Sequence, residues 1–269
     1  MDKLFIIRNG LKCMEARFEQ RSLRSIMISV SSSAESVSSK SDNIQISSCT
    51  VHDYEEQVKH VLEKYQRHTY HPCLLWQRPA PSRLIVRWMG GSLSNQTHID
   101  PLANLYFVKE FSVLCERLER LARSYHLEFA PRVCTVLPRI TEDIPLANIF
   151  HGRTVRLYYQ LYSLSPIFRQ HFLSHAQDWR TGLSRLKQYQ QSLGYTAKSA
   201  IVFQWPFWKE VNDDVSTVTH MSNVLKSMDF ADGSFEACEH EVNADMNHLT
   251  LASVDRQKQL IIILNEAFL

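Results

Sequence analysis

Residues 81–139 read as strand, glycine turn, helix and second strand, and this stretch restricts the fold more than any other. The apolar run Leu84-Ile85-Val86 leads through Arg87-Trp88-Met89 into Gly90-Gly91-Ser92-Leu93-Ser94-Asn95. Asp100-Pro101 then has the form of a helix start, and Val133-Cys134-Thr135-Val136-Leu137 is a second apolar run. A strand that stops at paired glycines, followed by a helix and another strand, is a βαβ pattern. Its strands lie parallel, because an antiparallel pair would need only a short turn. In open α/β sheets ligands sit beyond the carboxyl ends of the strands. Residues 90–95 are therefore where chemistry is expected first.

The flanking sequence extends the pattern. Val58, Val61, Leu62 and Tyr65 recur at helical spacing, with Asp53, Glu55 and Glu56 in the first turn, and predict a helix over 53–67. The helix after Asp100 is predicted to run to Tyr125. It carries Leu102, Leu105, Val108, Phe111, Leu114, Cys115 and Leu118 on a broad apolar face. The second strand is expected over 132–137. Further helices are expected over 153–163, 165–175, 179–193, 213–228, 235–248 and 255–268, with a short strand over 200–204. Only seven glycines occur in 269 residues, which argues against an all-β fold built on tight turns. The fold class is α/β: Rossmann-like, a mostly parallel sheet flanked by helices, with a helix-rich second half.

Two domains of unequal weight are expected. Residues 29–48 are serine-rich and too polar to bury a core, so residues 1–48 read as an N-terminal extension with a flexible linker. Within it, residues 1–28 suit a strand and a short amphipathic helix. Residues 49–269 form a single Rossmann-like catalytic domain. No apolar run approaches the length of a membrane span, and no signal-peptide pattern opens the chain. Six scattered cysteines without a CxxC pair point to reduced thiols rather than a disulfide framework or a metal site. Together these predict a cytoplasmic protein with no membrane partner and no metal.

The net charge of +2 hides an asymmetry. Residues 151–200 hold Arg153, Arg156, Arg169, Arg180, Arg185, Lys187 and Lys198 against the single acid Asp178. Residues 201–255 hold ten acids against Lys209 and Lys226. The basic half suits phosphate or is a solvated helix face.

Four groups of residues are candidates for chemistry. Gly90, Gly91 and Ser92 place a hydroxyl at a strand end, either as a nucleophile or as part of a plain turn. The turn is not the GxSxG elbow, GxGxxG or GxxxxGK[ST]. Glu239, His240, Glu241, Asp245 and His248 form an acidic cluster without HExxH spacing, which favours a solvated face over a metal site. Phe203, Trp205, Phe207 and Trp208 suit core packing or a stacking surface. Glu266 is a lone carboxylate in the apolar run that starts at Leu260: it either faces water or, if buried, has a raised pKa that suits a general acid or base.

These parts together resemble the tRNA-dependent cyclodipeptide synthases. That family has a Rossmann-like domain related to class I aminoacyl-tRNA synthetases. It carries a serine in a Gly-x-Ser turn after the first strand, with an asparagine close behind. The matching residues here are Gly90, Gly91, Ser92 and Asn95. The family also has a Tyr-x-x-x-Glu-x-Pro pattern on a late helix. Glu266 falls at the glutamate, Ile262 stands at the tyrosine, and no proline follows. The resemblance implies an aminoacyltransferase in which Ser92 accepts an aminoacyl group from charged tRNA. A second charged tRNA adds its amino acid, and the dipeptide cyclises to a diketopiperazine. It implies that Glu266 holds the amino group, that Gly90, Gly91 and Asn95 line the substrate, and that Arg153, Arg156, Arg169, Arg180, Arg185 and Lys187 grip tRNA phosphates. Neither a cofactor nor a metal is implied, because the ester to tRNA is already activated.

A second resemblance is to the isocyanide synthases of pyoverdine and dityrosine biosynthesis, through the order of elements over 102–159. The Ser-Asp-Gly-Arg run of that family is absent; residues 137–143 read LPRITED. A non-catalytic RNA-binding domain that uses the same basic face is the remaining alternative.

Overall fold

The computed structural model describes residues 3–8, 11–17, 25–31, 33–36, 46–48, 50–69, 82–90, 100–194, 200–230, 234–236 and 252–266. The chain is an α/β protein, with parallel strands flanked by helices in a Rossmann-like arrangement. It divides into two compact units: residues 1–90 with 104–133, and residues 91–103 with 134–269.

The first unit opens with strands β1 (Lys3–Arg8), β2 (Leu11–Arg17), β4 (Ser33–Ser36) and β5 (Ile46–Ser48), a small antiparallel sheet in the order β1-β2-β4-β5. Between β2 and β4 the chain forms β3 (Ser25–Ser31), which belongs to the parallel sheet. Helix α1 (Val51–Thr69) leads to β6 (Arg83–Met89). Helix α2 (Leu105–Ser124) then leads to β7 (Glu128–Thr135). β3 pairs with β6 over seven residues, from Ser25↔Arg83 to Ser31↔Met89, and β6 pairs with β7 from Arg83↔Glu128 to Trp88↔Val133. Strand order therefore follows chain order. Successive right-handed crossovers without a reversal put both helices on one face. Trp88 records this: its ring meets Tyr54 of α1 at 6.4 Å and Phe107 and Phe111 of α2 at 5.5 and 5.8 Å. An ion pair of 3.1 Å between Arg117 and Glu55 ties the two helices together further along.

The second unit contains α3 (Leu146–Ile149), β8 (Arg156–Gln160), α4 (Pro166–Phe172), α5 (Trp179–Ser192), β9 (Ile201–Gln204), α6 (Val215–Ser227), β10 (Ser234–Glu236) and α7 (Val254–Glu266). β8, β9 and β10 are parallel and again follow chain order. Tyr159 faces α5: a Cβ added at Gly182 would come within 3.0 Å of the Tyr159 hydroxyl. Phe203 meets Phe230, just past α6, at 5.3 Å. The side chains of Tyr159 and Phe203 thus mark the helix-covered face. Tyr158, Gln160, Val202 and Gln204 alternate onto the other face.

Several elements differ from the sequence expectation. The helix expected over 153–163 is strand β8. Leu157, Tyr158 and Tyr159 are buried on both faces, and a strand covered on both sides shows no period of two to read. Helix α2 is capped by Asn104, whose side chain accepts from the Tyr106 and Phe107 amides, rather than by Asp100. β7 begins at Glu128, four residues before the expected start. β3 lies inside the segment expected to be an extension and linker, because Ile26, Ile28 and Val30 bury fully beside β6. Residues 234–236 of the expected helix 235–248 are strand β10, and the acidic cluster at 239–248 lies outside the described residues.

Candidate functional site

β6 ends at Met89, and Gly90 follows it as a buried residue at the strand's carboxyl end. Gly91, Ser92 and Asn95 lie outside the described residues. So does the Glu266 side chain at the end of α7; Ile262, one turn earlier, is 54% exposed, while Leu260 and Leu264 are buried.

Asp100 is fully buried and built into the end of β7. Its carboxylate accepts from the Thr135 hydroxyl at 2.9 and 3.0 Å, from the Val136 amide at 2.8 Å and from the Leu102 amide at 2.9 Å. The Thr135 hydroxyl oxygen also accepts from the Leu137 amide at 2.8 Å. Burial pushes the Asp100 pKa up to about 6, and the hydrogen bonds hold it from rising further.

The basic residues separate into distinct environments. Arg169 is 6% exposed; its guanidinium donates to the carbonyls of Leu161, Ser163 and Gln177. Arg185 is buried and donates to the carbonyls of Thr141 and Ile144. Lys187 bonds the Asp229 carboxylate and lies 5.4 Å from the centre of the Phe230 ring. These three side chains bond groups within the fold. Arg180 is exposed and stacks on Trp179 at 4.3 Å. Arg153 and Arg156 are half-buried at the amino end of β8, with Arg156 over the Tyr158 ring at 5.6 Å.

The carboxyl ends of β8 and β9 carry a cluster that the sequence reading passed over. Gln160 and Gln204 are register partners, 1% and 2% exposed, and the Gln160 Nε2 donates to Gln204 Oε1 at 3.4 Å. The Tyr162 hydroxyl donates to Gln160 Oε1 at 3.1 Å. Tyr162 has φ of 55°, and the Ser163 amide bonds the Leu161 carbonyl at 2.6 Å across it. A positive φ under such a bond is the rarer, strained form of γ-turn. The surroundings hold it in place: Arg169 binds the carbonyls of residues 161 and 163, and Asn212 Nδ2 binds that of Tyr162 at 2.6 Å. The signal in the sequence was that two apolar strands, LYYQ and IVFQ, both end on glutamine.

Phe203, Trp205, Phe207 and Trp208 are buried, as core packing requires. Among the described residues, the indole nitrogens of Trp205 and Trp208 have no acceptor. Among the described residues, no group of three or more His, Cys, Asp or Glu side chains is placed to hold a metal ion, and no helix is long and apolar enough to cross a membrane.

No protein-family model and no curated protein matches the chain. Among solved structures, a radical SAM methyltransferase from Sphaerobacter thermophilus is similar in fold, with a TM-score of 0.55 at 12% identity. The match covers 82% of this chain and 56% of the methyltransferase, so the chain spans little more than half of that protein.

Proposed function

We propose that the chain is an enzyme acting on an amino-acid-derived substrate at the carboxyl ends of its parallel strands. The observation that carries this reading is the unit β6–α2–β7, in which the strand stops directly before Gly90 and the next strand is parallel to it. That is the place where α/β sheets bind ligands.

The finer reading is aminoacyl transfer of the cyclodipeptide synthase kind. The Ser92 oxygen attacks the ester carbonyl of a charged tRNA. A seryl ester forms, the ester to the tRNA ribose breaks, and the ribose oxygen leaves with a proton. A second aminoacyl group then forms an amide bond as one ester is consumed. Cyclisation forms the second amide and releases the last ester oxygen. Glu266 holds the attacking amino group. Charged tRNA in the cytoplasm is the partner, with Arg180, Arg153 and Arg156 as the phosphate contacts, and such binding weakens steeply with salt.

Mass spectrometry of small molecules from a bacterial host expressing the chain tests this reading. Diketopiperazines are expected, lost in Ser92→Ala and lost on RNase treatment of the lysate reaction. Product made from free amino acids without tRNA removes it. Retarded tRNA on a gel with no product, unchanged in Ser92→Ala, identifies a binding module instead.

The fold similarity favours a second reading, binding of S-adenosylmethionine, itself an amino-acid derivative. Equilibrium dialysis with labelled S-adenosylmethionine separates it from the first, which expects no retention.

A further inference from the structure

We propose that Asp100 is a pH-operated latch: its carboxyl fastens the turn Pro101–Ala103 to the end of β7 when protonated and loosens that hold when ionised. The latch is a closed set of bonds. Oδ1 accepts from the Leu102 amide at 2.9 Å, and Oδ2 accepts from the Val136 amide at 2.8 Å. The Thr135 hydroxyl lies between the two oxygens, at 3.0 and 2.9 Å. One carboxyl thus joins the turn to the strand end. Helix initiation does not account for it, because α2 takes its cap from Asn104.

All three donors are neutral. Among the described residues no cation bonds Asp100, which is 2% exposed. The turn Arg139–Thr141 packs against Pro101–Ala103 and carries Arg139, whose guanidinium donates to the Ala176 carbonyl. Glu142 and Asp143 follow it, and all three charged residues are exposed. Cys134, beside Thr135 on β7, alternates onto the opposite sheet face. A buried anion that meets only neutral donors keeps much of its desolvation cost. A proton from solvent removes the charge and reverses one bond, so that the carboxyl O–H donates to Thr135 Oγ1. Burial accordingly pushes the Asp100 pKa up to about 6.

Thr135 passes the change on. Its Oγ1 accepts from the Leu137 amide at 2.8 Å, and Leu137 holds a φ of 58°, which a bulky side chain rarely adopts. The Gln177 amide binds the Leu137 carbonyl at 2.9 Å. Strain of this kind persists only where the surroundings over-determine it. Loosening at Asp100 weakens the bonds that hold Leu137, which makes the strand end and the turn a two-state element biased by one proton. The stretch from Gly90 to Asp100 contains Ser92 and Asn95, so the latch fastens the chain just beyond the candidate site. It does not depend on the chemistry of Ser92, and its failure leaves the acyl-transfer reading standing.

The test is amide hydrogen exchange of the full chain between pH 5 and pH 8, with the intrinsic pH dependence of exchange divided out. The Leu102 and Val136 amides are expected to lose protection about tenfold over that range, while the Met221 amide of α6 does not. Asp100→Asn, neutral at every pH, is expected to abolish the change. Equal protection of Leu102 and Val136 at both pH values overturns the proposal. So does a loss shared by Met221, which is global unfolding, or a loss that persists in Asp100→Asn. Should Asp100→Asn not fold, the wild-type protein decides alone: the 13C resonance of the Asp100 carboxyl carbon is expected to titrate with the loss of protection, near pH 6, and a midpoint near the ordinary 3.8 overturns the latch.

Discussion

A buried guanidinium has to find acceptors, and Arg169 finds three backbone carbonyls from residues 161, 163 and 177. Its charge was legible in the sequence; its direction was not, because phosphate and buried carbonyls satisfy the same donors. Arg169→Met leaves three acceptors unmatched and releases the γ-turn at Tyr162. A loss of about 3 kcal/mol or more in urea denaturation is expected. Asp100 is a residue of the other sign. Its pKa of about 6 lies above the ordinary 3.8, so the folded state holds its proton more tightly than the unfolded state. That contribution is fully present below pH 3.8 and is lost as pH rises through 6, a change of about 3 kcal/mol. The stability advantage of wild type over Asp100→Asn should therefore shrink from pH 4 to pH 7 in melts recorded across that range. Thr135→Val should cost about 2 kcal/mol in the same melts, and more above pH 6 than below it, since it strips the Leu137 amide of its acceptor and the ionised Asp100 carboxylate of a donor.

At the scale of elements, α5 approaches β8 closely because Gly182 carries no side chain. Alanine there gains about 1 kcal/mol of helix propensity. It also sets a Cβ 3.0 Å from the hydroxyl of the fully buried Tyr159 and 3.4 Å from Leu137 Cδ1. Overpacking a rigid ring costs about 1–3 kcal/mol, so Gly182→Ala is expected to lower the melting temperature despite the better propensity. Caps behaved differently from close approaches. Asp214 and Asn104 cap α6 and α2 through local amides, and those contacts lie within a few residues of each other. Helices α1, α5, α6 and α7 were legible from periodicity, because one face of each meets the core and the other meets water. β8 was not, because both its faces are buried and helix and strand then read alike.

At the scale of the whole molecule, β3 alters where the domain begins. It pairs with all of β6 and buries Ile26, Ile28 and Val30. Removing residues 1–48 strips this strand and leaves β6 with an unpaired apolar edge. The truncated chain is expected to aggregate or to unfold at markedly lower urea than the full chain, and a shortened chain as stable as the original would show that β3 adds nothing. Local order set what the sequence alone determined: the β6–α2–β7 unit, the α/β class and most helices all follow from patterns within about twenty residues. Tertiary structure decided strand order, the entry of β3 into the sheet, the inward turn of Arg169 and Arg185, and the meeting of Gln160, Gln204 and Tyr162. Each of these depends on which distant segment lies beside a residue. A polar side chain carries no mark of that neighbour until the strands are laid side by side.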